Sequence, residues 1–349
     1  MKILVIANAA KRGGAESVIR DFYDEIKADE KNQYIFLLSH EFIEETKNIK
    51  IIYTKEYNWI ERLFFDYYKA KKVIKTVNPD MLVSFQNTIV HGTDKKQIIY
   101  LQQSLPFQKE KKFSFFKKNE LELAIRQHII GFLMKKTLKK AYKIIVQSNW
   151  MKTEVAKQCK INENNIYVVK PKVIINKEIL NSSNQLNNRS FFYPTHNCIY
   201  KNNELIYYAC RKLNIENIND FKVELTIDKK NNISDNIKFI GMIPREEVFK
   251  KYKKSILIFP SYIETFGLPL LEAKLCGTII LVADTPFAHE ILDDYKNAYF
   301  FNPFEANELY MLMRKCILGE IKINKRLYLT KERILKKHKN YGILNIIFN

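Results

Sequence analysis

The chain has 349 residues, 46% of them apolar and 28% charged, which is enough for two separate cores and too apolar for a disordered polymer. No apolar run approaches the roughly 20 residues that a membrane-spanning helix needs, so a soluble or peripheral protein is expected. The five cysteines, Cys159, Cys198, Cys210, Cys276 and Cys316, are odd in number and contain no CxxC pair. That excludes a disulfide framework and a zinc site, and it suits a reduced, cytoplasmic compartment.

The formal charge of +20 has two readings. It follows either from a composition rich in Lys, Ile and Asn, or from an anionic partner. Its distribution is uneven, because residues 109–143 hold eleven Lys or Arg against three Glu, a net +8. Apolar residues such as Phe113, Phe116, Ile129 and Phe132 are interleaved with these cations. A basic amphipathic helix of this kind suits an anionic membrane surface, and equally a helix packed on its sheet with a solvated lysine face.

In chain order, the start MKILVIAN reads as a buried strand and not as a signal peptide, since Asn8 breaks the run and Lys11 and Arg12 follow. Strands are expected at 2–8, 33–40, 50–55, 81–86, 97–102 and 143–148, with helices at 14–27, 60–77, 119–140 and 149–158. A second series of strands follows at 190–195, 222–228, 237–242, 256–261, 278–284 and 298–302. Short apolar runs alternating with helices are the pattern of parallel strands joined by crossovers. The Asn- and Ser-rich stretch between the two series is the domain boundary. The expected organisation is an N-terminal domain 1–170, a linker 171–189, a C-terminal domain 190–335, and a segment 336–349 for which a return to the first domain is one option. Two doubly wound domains facing each other would bring their strand C-terminal ends to a shared cleft.

Three turns carry candidate chemistry. Residues 260–277, PSYIETFGLPLLEAKLCG, place Glu264 and Glu272 on either side of a glycine turn that opens a helix. Pro269 suits the first helical position and Glu272 the first turn. A helix start offers free N–H groups and a positive dipole end to phosphate or sugar oxygens, and Gly267 permits close approach. Carboxylates beside it can accept hydrogen bonds from sugar hydroxyls, although a dipole-complementing Glu272 and a solvated Glu264 are the plain alternative. Lys201, in NCIYKNNELI, falls where strand should turn into helix and could meet a diphosphate. The pair Gly13 and Gly14 follows the first strand, where it serves either a tight turn or a close approach to ligand.

The 260–277 motif resembles the retaining glycosyltransferases of family 4, which have the GT-B fold and an E-x7-E signature. Pro260, Ser261, Glu264, Phe266, Gly267, Leu268, Pro269, Glu272, Ala273 and Gly277 match it position by position. The resemblance is strong over about 237–303 and patchier in the first half. It implies a nucleotide-sugar donor held by the second domain. Glu264 would contact the transferred sugar, the turn Thr265, Phe266, Gly267 and Leu268 would face sugar and phosphate, and Glu272 would hold the ribose. Lys201 would stabilise the departing diphosphate, although the Arg that accompanies it in many relatives is absent.

The same resemblance puts Gly13 and Gly14 at the cleft floor. It puts Gln102, in YLQQSLPF, where many relatives carry a His that contacts the donor sugar, and the Gly241-Met242-Ile243 turn near the base. The histidines show no metal-ligand spacing, and family members generally work without a metal, so no cofactor is expected. The implied reaction is transfer of a sugar with retention to a glycan or polyprenyl-linked sugar acceptor, in the synthesis of a surface polysaccharide such as lipopolysaccharide or capsule. The implied place is the cytoplasm or the inner leaflet of the cell membrane. The rival readings are a non-catalytic nucleotide-sugar-binding paralogue and a nucleic-acid-binding protein. The second lacks any recognised motif, so nucleic acid is not an expected partner.

Overall fold

The structure is a computed structural model that describes residues 1–9, 14–57, 59–173, 185–228, 233–324 and 342–348. The chain divides into two units, one of residues 1–172 with 340–349 and the other of 173–339.

In the first unit, seven parallel strands lie in the order β3-β2-β1-β4-β5-β6-β7. They are β1 (Lys2–Ile6), β2 (Gln33–Leu38), β3 (Ile49–Tyr53), β4 (Met81–Ser84), β5 (Lys96–Tyr100), β6 (Lys143–Val146) and β7 (Ile166–Val168). The central strands read as continuous apolar runs because helices cover both faces of the sheet. Helix α1 (Gly14–Ile26) buries Val18, Ile19, Phe22, Tyr23 and Ile26, the stripe that a 3.6-residue period dictates. The strand β7 was not among the expected ones, since three residues at a sheet edge are too few to stand out as an apolar run.

Two helices that the sequence presents as single runs are each interrupted by a π-helical turn. The first comprises α2 (Trp59–Phe64), the turn Phe65–Lys69 and α3 (Ala70–Val77). The second comprises α4 (Leu121–Ala124), the turn Ile125–Ile130 and α5 (Gly131–Leu138). In the first of these turns Asp66 is buried and accepts a hydrogen bond from Thr88 Oγ1 at 2.7 Å. Helix α6 (Asn149–Cys159) then ends on Lys160, whose φ of 53° is left-handed.

In the second unit, six parallel strands lie in the order β10-β9-β8-β11-β12-β13. The elements are β8 (Asn187–Tyr193), α7 (Asn203–Ile215), β9 (Lys222–Leu225), β10 (Ile237–Phe239), α8 (Arg245–Lys254), β11 (Ser255–Phe259), α9 (Leu268–Cys276), β12 (Ile280–Ala283), α10 (Pro286–Leu292), β13 (Ala298–Phe301) and α11 (Ala306–Ile317). Strand β8 begins at Asn187 and not at Ser190, because Asn187 already pairs in register with Ser255. The first three residues of the strand therefore belong to the stretch expected as linker, of which 174–184 lie outside the described residues. All five residues of β11 are buried, which marks it as a central strand.

In both sheets the chain winds out on one side of a strand and then returns to the other. The reversal falls between β1 and β4 in the first unit and between β8 and β11 in the second. Such a reversal splays the two loops at the strand C-terminal ends apart and opens a crevice between them.

The last described element, α12 (Ile343–Phe348), belongs to the first unit. Ile343, Ile346 and Ile347 join the core cluster that contains Val18, Ile19 and Phe22 of α1. The buried Lys143 ammonium donates to the Ile346 carbonyl at 2.9 Å, so the helix also satisfies a charge that β6 carries inward. Substitution Ile346→Ala is expected to lower stability by about 2–4 kcal/mol, the ordinary cost of truncating a buried Ile. Chemical denaturation of the full chain reads this, and an unchanged midpoint would mean that the helix is only loosely attached.

Candidate functional site

Lys201 and Glu264 come from the two loops that the second reversal splays apart. After β8 the chain runs through Pro194 to a 3-10 turn, Ile199–Lys201, and reaches α7 through Asn202, whose φ of 59° is left-handed. The Tyr193 hydroxyl donates to the Lys201 carbonyl at 3.1 Å and fixes this turn from below. Burial, and secondly the Glu264 carboxylate, push the Tyr193 phenol well above its ordinary value, so it stays protonated as a donor. Tyr262 N–H donates to Tyr200 O at 3.1 Å and ties the second loop to the first.

Across this crevice Lys201 Nζ lies 2.5 Å from Glu264 Oε1, with the two side chains 11% and 18% exposed. Ser261 Oγ donates to the same carboxylate oxygen at 2.8 Å. Lys201 is therefore not a solvated surface lysine. Its ammonium also sits 5.9 Å from the centre of the Phe259 ring. His196, on the same loop, is held below the usual imidazole value by partial desolvation and by the Lys201 ammonium, which favours the neutral ring.

Thr265, Phe266, Gly267 and Leu268 carry the chain from Glu264 into α9. Gly267 caps the helix with φ 87°, a conformation that side chains resist. A Cβ there would also come within 3.2 Å of Phe287 and 3.3 Å of Leu270. The tight turn thus carries the chain from Glu264 straight into the α9 start, the positive end of the helix dipole, where Leu270 N–H donates to Gly267 O at 2.9 Å. Phe266 is buried and anchors the turn to the core.

Glu272 is placed differently from the expectation. Helix α9 starts at Leu268, so Pro269 is the second helical residue and Glu272 lies in the second turn. Glu272 is 6% exposed and accepts from Arg245 Nη2 at 2.8 Å and from the Tyr252 hydroxyl at 3.3 Å. Burial raises its carboxyl above the ordinary range even though the Arg245 guanidinium pulls it down. The sequence reading missed Arg245 and Tyr252, which stand at the start and in the last turn of α8. Their spacing of seven residues on a helix that precedes the β11 strand was the available signal, since it puts both on one face.

Of the other expected positions, Met242 is 95% exposed, beside Gly241 at φ 64°. Gly14 opens α1 with nothing within 4 Å of an added Cβ, and Gly13 lies outside the described residues. Gln102 follows β5, and its backbone N–H donates to Asn87 Oδ1 at 2.6 Å. Its Nε2 is buried without a partner among the described residues, as are Asn8 Nδ2 and Gln86 Oε1. Asn8 and Gln86, bonded to each other, follow β1 and β4 at the reversal of the first sheet. Sequence reading passed over both, because lone amides after strands carry no pattern. Among the described residues no group of three or more His, Cys, Asp or Glu could hold a metal ion, and no helix is long and apolar enough to cross a membrane.

Residues 215–333 match the family model described as glycosyl transferases group 1, a stretch that contains α8, β11, the Gly267 turn and Glu272. The O-antigen chain mannosyltransferase RfbU of Salmonella typhimurium is 33% identical over 72 residues, which is 20% of this chain and 20% of that protein. Among solved structures, the lipopolysaccharide outer core galactosyltransferase WaaB is similar over 100% of this chain and 99% of its own, with a TM-score of 0.67 and 16% identity. Anabaena Alr3699/HepE in complex with UDP-glucose is similar over 97% of this chain and 96% of its own, with a TM-score of 0.67 and 14% identity. Two parallel-sheet α/β units and this whole-length likeness to solved structures, a galactosyltransferase among them, show that the chain has the GT-B fold.

Proposed function

We propose that this chain is a retaining glycosyltransferase that moves a sugar from a nucleotide-diphosphate donor to a glycan or lipid-linked glycan acceptor in cell-surface polysaccharide synthesis. The observation that carries the reading is the Lys201–Glu264 pair, set across the strand-order reversal beside the α9 start. Sequence likeness over 215–333, and a fold neighbour bound to UDP-glucose, point the same way.

In this reading the α9 start and the Lys201 ammonium take the donor diphosphate, and no metal is assigned to that task. Both contacts of Glu264 fall on Oε1, and its Oε2 accepts from a hydroxyl of the transferred sugar. As the bond between the anomeric carbon and the leaving oxygen breaks, negative charge builds on the diphosphate, where Lys201 already stands. The acceptor hydroxyl attacks from the same face and passes its proton to that leaving oxygen, which gives retention without a dedicated general base. Glu272 holds the ribose, oriented by Arg245 and Tyr252, and the turn at Met242 borders the base. On the first unit, Gly13, Gly14 and Gln102 are assigned to ligand contact by the sequence resemblance alone. The basic stretch 109–143 holds the protein at an anionic inner leaflet, where a polyprenyl-linked acceptor resides.

Substitution Lys201→Met is expected to lower kcat by about 10²–10³ while leaving nucleoside affinity within a few-fold, since the lost charge is needed most as the diphosphate departs. Transfer from a panel of nucleotide sugars measures this. Wild-type turnover in the variant would remove Lys201 from the mechanism, and donor binding with no turnover in the wild type would indicate a binding protein.

A second expectation concerns Glu272. Its raised value means that the folded protein holds the proton more tightly than the unfolded chain does. That contribution is fully present below the unfolded carboxyl value and is lost as pH rises through the folded one. Substitution Glu272→Gln should flatten the decline of stability with pH in that window and weaken donor binding by about tenfold or more, the scale of a lost charged hydrogen bond. Identical pH profiles for variant and wild type would contradict the assigned shift.

A further inference from the structure

The first unit contains a cavity of about 430 Å³ between residues 106–112, the second π turn with α5, and α6. Its polar walls are fixed. Gln127, on the π turn, accepts from Phe113 N–H at 2.9 Å and donates to Lys111 O at 2.8 Å. Gln158, on α6, donates to Phe107 O at 2.7 Å. A π turn adds one residue to a helical turn and often marks a functional site. Here it turns Gln127 inward to hold the 108–113 stretch, which keeps the cavity open.

The charge at this cavity is not balanced. Lys109, Lys112, Lys135 and His128 line it, and no carboxylate does so among the described residues. Glu154, outside the lining, forms an ion pair with Lys109 and accepts from Gln158 Nε2 at 2.7 Å, and its charge also reaches Lys135. Lys135 donates to the neutral Gln158 Oε1 at 2.7 Å, and burial holds its ammonium below the ordinary lysine value. Lys112 and Lys135 thus face a partly desolvated space with no carboxylate in its lining and none in ion-pair contact among the described residues, an arrangement that favours a bound anion. One wall is apolar, because Phe132 is 57% exposed there, and on the same segment Ile129 is 50% and Phe116 100% exposed. An anionic head joined to an apolar body satisfies both surfaces.

We infer that this cavity binds the phosphate or diphosphate head of a lipid, with Lys112 and Lys135 as its anchors and Phe132 against the apolar part. This goes past a general attraction of 109–143 to anionic membranes, since it assigns a discrete phosphate site. It rests on the proposed transferase reading only where the lipid is taken to be the acceptor. Its test uses neither donor nor turnover, so its failure leaves that reading standing.

The full chain is titrated with phosphatidylcholine vesicles containing phosphatidylglycerol, with and without inorganic pyrophosphate at constant ionic strength. Wild-type protein is expected to bind the vesicles and to be displaced by pyrophosphate, which reports the shared phosphate chemistry. The double variant Lys112→Gln, Lys135→Gln should bind roughly thirtyfold more weakly, about fivefold per lysine, and its residual binding should ignore pyrophosphate. The double variant Lys117→Gln, Lys118→Gln removes the same charge outside the cavity and should keep the displacement. Displacement lost equally in both variants, or absent from the wild type, would overturn the site. Failure of the wild type to bind vesicles, with pyrophosphate binding that still depends on Lys112 and Lys135, would overturn the lipid source.

Discussion

Lys201 and Glu264 meet because the second sheet reverses its strand order between β8 and β11. Two adjacent parallel strands leave the sheet side by side, and their following loops must turn away from each other to reach helices on opposite faces. At the opening between these loops a cation, a carboxylate and the start of α9 converge. Tyr193 holds the first loop at Lys201 O, Tyr262 N–H ties the second loop to the first, Ser261 shares the Glu264 oxygen, and Gly267 turns the chain at a φ that side chains resist. An ion pair of this burial is costly to break by removing one partner, and it stays poised for a ligand that satisfies both charges.

The first sheet reverses in the same way between β1 and β4, and the described residues that follow these strands there include the neutral amides Asn8 and Gln86. Asn8 and Gln86 bond each other there, and each keeps one buried amide atom unmatched. Amides both donate and accept, so they suit hydroxyl groups more than phosphate. The two units therefore share a topology, with an ion pair at the reversal of the second sheet and a pair of amides at that of the first.

Much of this was legible in the sequence, and for physical reasons. Runs such as those of β1 and β11 are apolar throughout because both faces are covered, and they stand out against polar crossovers. The Gly267 turn was legible because only glycine takes its φ, and the motif around it fixes Glu264 and Glu272 by spacing. What escaped was whatever depends on partners distant in sequence. Arg245 and Tyr252 gain meaning only when α8 packs beside α9, and the Lys201–Glu264 pair spans 63 positions. The π turns escaped because one inserted residue barely shifts a helical period. Glu272 falls in the second turn and not the first because the glycine cap lets the helix start at Leu268, one residue before Pro269.

The central claim is that the Lys201 crevice with the α9 start is built for a diphosphate. Calorimetric titration of the full chain with uridine and guanosine, each as the free nucleoside and as the diphosphate, tests it most directly. The account predicts that at least one diphosphate binds about a hundredfold more tightly than its nucleoside, since two or three charge-assisted hydrogen bonds are added. Equal affinity of nucleoside and diphosphate for both bases, or no binding of either diphosphate, would contradict it.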